Sequence, residues 1–246
     1  MYLSRVQVLA EQPDELVEVL QADHYQLHQL LWKLFPGSAE KKQRDFLFRR
    51  DENKGFPMFY VLSASEPTSL AGVLKVETKP FQPALQTGDT LAFSLRANPV
   101  EQLKQERTES EKKQHLEQRI ARGLTEKLTK KRVHHDVVLH LKKSLTDERL
   151  HCYSQSELEQ QAGEQWLQKR AEKNGFRVLS VSTQGYQQHH FKKRKIKIST
   201  LDFNGVLEIT DPELFIEQAL YKGIGSAKAF GCGLLLIRRC SPLLVD

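Results

Sequence analysis

The run His24-Tyr25-Gln26-Leu27-His28 sets Tyr25 and His28 on one helix face by i, i+3 spacing and His24 beside His28 by i, i+4 spacing. Imidazole titrates near neutrality and a phenol can donate or position a proton, so a Tyr25–His28 pair suits general acid–base work on a hydroxyl. A metal pair of His24 and His28 would lack the glutamate of an HExxH pattern and any evident third ligand. A histidine on a leucine-rich helix is more often structural, and the residues alone favour that plainer reading. His134, His135, His140 and His151 lie in charged surroundings without comparable pairing.

Two further clusters bear on chemistry. Residues 223–233 read Gly-Ile-Gly-Ser-Ala-Lys-Ala-Phe-Gly-Cys-Gly and hold four of the chain's 13 glycines: Gly223, Gly225, Gly231 and Gly233. Glycine weakens regular structure, so this density implies positive φ or close approach to the backbone, and Lys228 in its midst implies an anionic visitor. A helix precedes the loop and a strand follows, the reverse of a Walker loop, which argues against nucleotide hydrolysis. A C-cap glycine with a tight turn would account for one or two of the four. The second cluster, His189-His190-Phe191-Lys192-Lys193-Arg194-Lys195-Ile196-Lys197, sets five cations in six positions between two strands. Phosphates would supply the counter-charge, making Lys193, Arg194, Lys195 and Lys197 candidate RNA contacts; a solvated hairpin tip is the alternative.

The elements that must position these groups follow from periodicity. Residues 2–10 are β-rich, and Asp23 introduces a helix with Leu27, Leu30, Leu31 and Leu34 at helical spacing, ended by Pro36-Gly37. Segments 46–49 and 58–63 read as strands around Asn53-Lys54-Gly55, segment 90–96 reads as another, and proline-rich 66–87 is ambiguous. Residues 1–100 thus approximate a β-α-β-β-(α)-β unit with a weak second helix. From 101 to 132 the chain is charged, with a thin stripe of Leu116, Ile120, Leu124 and Leu128, as in a solvated helical linker or insertion. In 133–246, a strand at 137–141, a helix at 156–173, strands at 177–186 and 195–209, a helix opened by Asp211-Pro212 and a final strand at 234–237 repeat the order. The expected fold is therefore α+β, two tandem ferredoxin-like (βαββαβ, RRM-like) domains.

Composition is permissive. The 246 residues are 39% hydrophobic with a net charge of +6, sufficient for two cores and mildly suited to a polyanion. Cys152, Cys232 and Cys240 form no CxxC pair and leave an odd thiol, so neither a disulfide framework nor a zinc site is expected. With no apolar run of transmembrane length and Met1 to Val6 leading into a strand, a soluble, unprocessed cytoplasmic protein is expected, away from membranes.

Several separated blocks together resemble one family: Met1-Tyr2-Leu3-Ser4; Tyr25-Gln26-Leu27-His28-Gln29-x-Leu31-Trp32-x-Leu34-Phe35-Pro36; Asp45-Phe46-Leu47-Phe48; Leu95-Arg96-Ala97-Asn98-Pro99; Phe203-x-Gly205-Val206-Leu207; and the glycine loop through Leu235. In this order they are similar to the CasE family, the type I-E CRISPR repeat-processing endoribonucleases. The resemblance implies two ferredoxin-like domains, cleavage of precursor CRISPR RNA beside the repeat stem-loop without metal or cofactor, and retention of the mature crRNA with the other Cascade subunits. It implies a catalytic role for His28 with Tyr25 nearby, an RNA-binding loop at Lys228 and its glycines, and RNA-contacting cations at Arg194, Lys195 and Lys197. Segment 101–132 departs from it, being longer and more helical than the family leads one to expect.

Both readings are consistent with attack of an RNA 2′-hydroxyl on the adjacent phosphorus, leaving a 2′,3′-cyclic phosphate and a free 5′-hydroxyl. The nucleophile is already in the substrate, so the protein need only align it, move protons and stabilise the phosphorane. A catalytically silent RNA-binding subunit of the same fold is the first rival. A ferredoxin-like metabolic enzyme or phosphate-ligand binder is the second, for which neither a cofactor motif nor an acidic catalytic pair is present.

Overall fold

Strands β1 (Tyr2–Val8), β2 (Phe46–Asn53), β3 (Phe56–Ser63) and β4 (Leu74–Pro80) form an antiparallel sheet in the order β2-β3-β1-β4, with helix α1 (His24–Trp32) connecting β1 to β2. The computed structural model describes residues 1–9, 17, 19, 24–35, 45–53, 55–127, 130–146, 151–191 and 196–240. Helical spacing of Leu27, Leu31 and Leu34 delivers one apolar stripe to this sheet, where it meets Val6, Phe46, Phe48, Phe59, Val61 and Leu74.

A second sheet, in the order β10-β5-β9-β8, is built from β5 (Thr90–Ala97), β8 (Phe176–Phe191), β9 (Ile196–Ile209) and β10 (Leu235–Arg239). Between β5 and β8 run β6 (Val100–Gln105), α2 (Glu109–Ala121), β7 (Lys131–Asp136), α3 (Val137–Ser144) and α4 (Gln155–Ala171). A short helical turn at Pro212–Leu214 continues as a π-helical stretch, Phe215–Tyr221, and a 3₁₀ turn at Lys228–Phe230 precedes β10. Alternation in β5 sends Leu91, Phe93, Leu95 and Ala97 inward to Trp166 and Leu167 of α4, Phe203 and Leu207 of β9, and Phe215. Burying each large apolar side chain contributes roughly 1.5–3 kcal/mol. The two sheets meet over Leu47, Leu62 and Leu234, with Met1, Leu3, Phe81 and Tyr221 packed around them.

The architecture is tandem ferredoxin-like, as expected, but several elements fall elsewhere than the sequence reading put them. Segment 90–96 does not close the first sheet; β5 pairs with β9 and β10 in the second, and β4 closes the first. Sheet membership therefore changes between Pro80 and Thr90 and not at residue 100. β4 is an edge strand with only Leu74 buried, which leaves it little hydrophobic pattern to announce it. Residues 137–141 are helical, not extended, because the Asp136 carboxylate accepts from the Val138 and Leu139 N–H groups and caps α3.

Segment 101–132 is a strand, a helix and the start of a returning strand: β6 and β7 pair antiparallel around α2. A capping box between Thr108 and Glu111 starts α2, which ends at Ala121, so Leu124 lies beyond it; Leu128 lies outside the described residues. Among the described residues, no helix is long and apolar enough to cross a membrane.

Candidate active site and RNA-binding surface

Burial of Leu27 and Leu31 against the first sheet turns the intervening His28 half outward. Its ring stands 5.8 Å from Phe46, 6.0 Å from Phe48 and 6.0 Å from Trp32, measured between centroids. The Trp32 indole N–H donates to His28 Nε2 at 3.3 Å. An indole can only donate, so the acceptor in this bond is the lone pair on Nε2 of a neutral imidazole. Tyr25 lies on α1 three residues before His28, at the same-face register position.

The glycine cluster is a turn built against α1. Gly223, Gly225, Gly231 and Gly233 have φ of 76°, 86°, 81° and 92°, and Ala227 joins them at 56°. The backbone also crowds: a Cβ on Gly223 would come within 2.6 Å of the Gly233 carbonyl oxygen and 2.7 Å of Leu47 Cδ1. The Ile224 N–H donates to the Gly233 carbonyl at 2.9 Å, and the Gly233 N–H to the Arg96 carbonyl at 2.7 Å. At its far edge Asn98 Nδ2 donates to Ser226 Oγ at 3.2 Å. The Lys228–Phe230 turn thereby comes to rest on α1 and β2. Lys228 Nζ donates to the Lys222 carbonyl at the end of the π-helix, which fixes where its charge stands.

The end of β5 braces this assembly. Arg96 forms two 2.7 Å bonds to the Asp202 carboxylate and a 2.8 Å bond to the Arg50 carbonyl, joining the sheets. That carboxylate raises the guanidinium's already high pKa, so it is always charged. Beside it, burial pushes the Cys232 thiol up to about 12, which leaves it a protonated, inert side chain and not a nucleophile.

The basic hairpin reaches the same region. Phe191, the last residue of β8, packs against Phe230 of the glycine turn, with ring centroids 5.0 Å apart and tilted by 41°. Lys197 is exposed on β9 and pairs in register with His190. Lys193, Arg194 and Lys195 lie outside the described residues. The glycine turn and the base of the hairpin, both more than 150 residues along the chain from His28, therefore converge with α1. Trp32 and the Phe191–Phe230 contact escaped the sequence reading. Trp32 had a usable cue in its i+4 spacing from His28, whereas the Phe191–Phe230 contact joins elements no local pattern relates.

Comparison with known proteins places the chain. A family model described as CRISPR associated protein matches residues 1–239. The Cascade subunit CasE of Escherichia coli K12 is 31% identical over 239 residues, covering 96% of this chain and 98% of that protein. The CRISPR-associated endoribonuclease Cse3 of Thermus thermophilus is 26% identical, covering 88% and 90% respectively. Among solved structures, Thermus thermophilus Cse3 bound to an RNA representing a pre-cleavage complex superposes with a TM-score of 0.65 at 25% identity, covering 96% of this chain and 98% of that one. Escherichia coli Cas6e does so with a TM-score of 0.59 at 29% identity, covering 98% and 100%. With the match running along almost its whole length, the chain belongs to the CRISPR-associated protein family, in its CasE branch.

Proposed function

We propose that this protein is an endoribonuclease that cleaves precursor CRISPR RNA beside the repeat stem-loop and keeps the mature crRNA within Cascade. The observation that carries this reading is the convergence of a half-buried histidine, a glycine turn and a cationic hairpin base, in a relative of an RNA-bound endoribonuclease. Exposed backbone and cations would hold the phosphates of a stem-loop by shape, as RNA helices are generally read.

His28 would take or return the proton as the 2′-hydroxyl attacks the neighbouring phosphorus, with Tyr25 positioning or donating from the preceding turn. The P–O5′ bond breaks as the 2′-O–P bond forms, giving a cyclic phosphate and a 5′-hydroxyl. Lys228, held by the Lys222 carbonyl, would stabilise charge developing on the phosphorane. Since the nucleophile belongs to the substrate, cleavage should proceed in the presence of a chelator. Replacing the 2′-hydroxyl at the cut by hydrogen should abolish it. Equal cleavage of the deoxy substrate would overturn the mechanism, and loss of all cleavage in chelator would replace it with a metal-assisted one.

A further inference from the structure

On the other side of the glycine turn lies a cleft that the catalytic reading does not use. One wall is the corner where β7 enters α3, contributing His134, His135, His140 and Lys143; the other is the hairpin base, contributing His190 and Lys197. Ser226 of the glycine turn also lines it. Its volume is about 550 Å³, inside the roughly 300–1,000 Å³ of sites that take a compact ligand, so a nucleotide-sized unit fits.

The chemistry of the cleft is one-sided. Asp136 is the one carboxylate among its lining residues, and it already accepts from the Val138 and Leu139 N–H groups and from the Tyr186 hydroxyl at 2.8 Å. Burial raises the pKa of the Tyr186 phenol, which therefore remains a donor to that carboxylate. The same bond ties the start of α3 to β8, so the two walls are held together before any ligand arrives. The other ionisable groups lining the cleft are two ammonium groups and four imidazoles, set among the neutral polar Asn98, Gln188, Ser199 and Ser226. Each imidazole offers an N–H donor in either protonation state and a flat face for an unpaired base. His135 and His140 already meet edge-on at 5.5 Å.

We propose that this cleft is a second RNA-backbone site, in which the corner where β7 enters α3 grips repeat-RNA phosphates beyond the strand that passes His28. The proposal rests on the repeat-RNA reading above. Continuity supports it, since the glycine turn borders both places: Lys228–Phe230 faces α1 and Ser226 faces the cleft. A polymer leaving the first enters the second, whereas a small anion would have no reason to span both.

The test compares two lysines that are adjacent on α3 and both exposed, of which only Lys143 lines the cleft. Equilibrium binding of the full chain to labelled repeat RNA is measured over a salt series for the wild type, Lys143→Glu, Lys142→Glu and Lys143→Arg. Lys143→Glu should weaken binding by about fivefold or more and make the salt slope shallower by about 0.7–0.9 for the lost contact. Lys142→Glu, with the same change in charge, should stay within about twofold of the wild type, and Lys143→Arg should retain binding. Equal effects of the two glutamates, or none, would overturn the cleft while leaving the repeat-RNA reading intact, and would point to an acidic protein segment as its occupant. A wild type that binds no repeat RNA would overturn both.

Discussion

His28 owes its position to its neighbours more than to itself. Leu27 and Leu31 fix the helix face, Phe46 and Phe48 wall the ring, and Trp32 donates to its neutral form. Trp32→Phe keeps the aromatic packing and removes only the N–H, so cleavage should fall about three- to tenfold, the worth of a weak neutral hydrogen bond, with little change in melting temperature. Single-turnover kinetics beside a thermal melt checks this; an unchanged rate would show that the indole does not orient the imidazole. Cys232 offers a second check at this scale. Its thiol pKa, raised to about 12, keeps it protonated at ordinary pH, so alkylation in native buffer should modify exposed Cys152 and Cys240 but spare Cys232 until denaturant is added. Three fast-reacting thiols in intact-mass analysis would contradict the burial.

Among the elements, the glycine turn gathers the most positive φ angles, at Gly223, Gly225, Ala227, Gly231 and Gly233. Gly223→Ala faces both a positive φ and a Cβ within 2.6 Å of a carbonyl oxygen, whereas Gly88, at φ +89°, has nothing within 4 Å of a Cβ. Gly223→Ala should therefore cost about 2–4 kcal/mol and Gly88→Ala about 1 kcal/mol, measured by denaturant unfolding. Equal losses would mean that crowding around the turn is easily relieved. The need for positive φ was legible in the sequence because only glycine answers it cheaply. So was α1, from its leucine spacing. The sheet that Thr90–Ala97 joins was not, because a strand's pattern states that one face is buried without naming the partner, and β9 lies some hundred residues away. Residues 137–141 misled for a local reason: a run of Val, Val and Leu looks extended, and the capping carboxylate of Asp136 decides otherwise.

For the molecule as a whole, Arg96 and Asp202 connect the two sheets through the Arg50 carbonyl. Asp202→Ala would leave a guanidinium with much of its compensation gone in a mostly covered place. A loss of about 2 kcal/mol is expected after allowing for partial exposure, or a fall in melting temperature of about 4–8 °C for a chain of this size. An unchanged melting temperature would show that the Arg96–Asp202 pair adds nothing to the Leu47–Leu62–Leu234 seam and the other contacts that hold the sheets together. Of the candidate site, the sequence displayed the three motifs but not their meeting place. Their convergence depends on Phe191 meeting Phe230 within the second unit and on the Lys228–Phe230 turn resting on α1 and β2 of the first.

The central claim is that His28 does chemistry while other groups hold the RNA, and single-turnover cleavage of repeat RNA measured together with equilibrium binding tests it most directly. For His28→Ala, loss of a general acid or base should slow cleavage by about 10²- to 10⁴-fold. Affinity should stay close to that of the wild type, because the proposal assigns the phosphate contacts to the glycine turn and hairpin and not to His28. His24→Ala, one turn earlier, should cleave nearly normally. A His28→Ala protein that binds and cuts at the wild-type rate would contradict the account and leave His28 a structural residue of its helix.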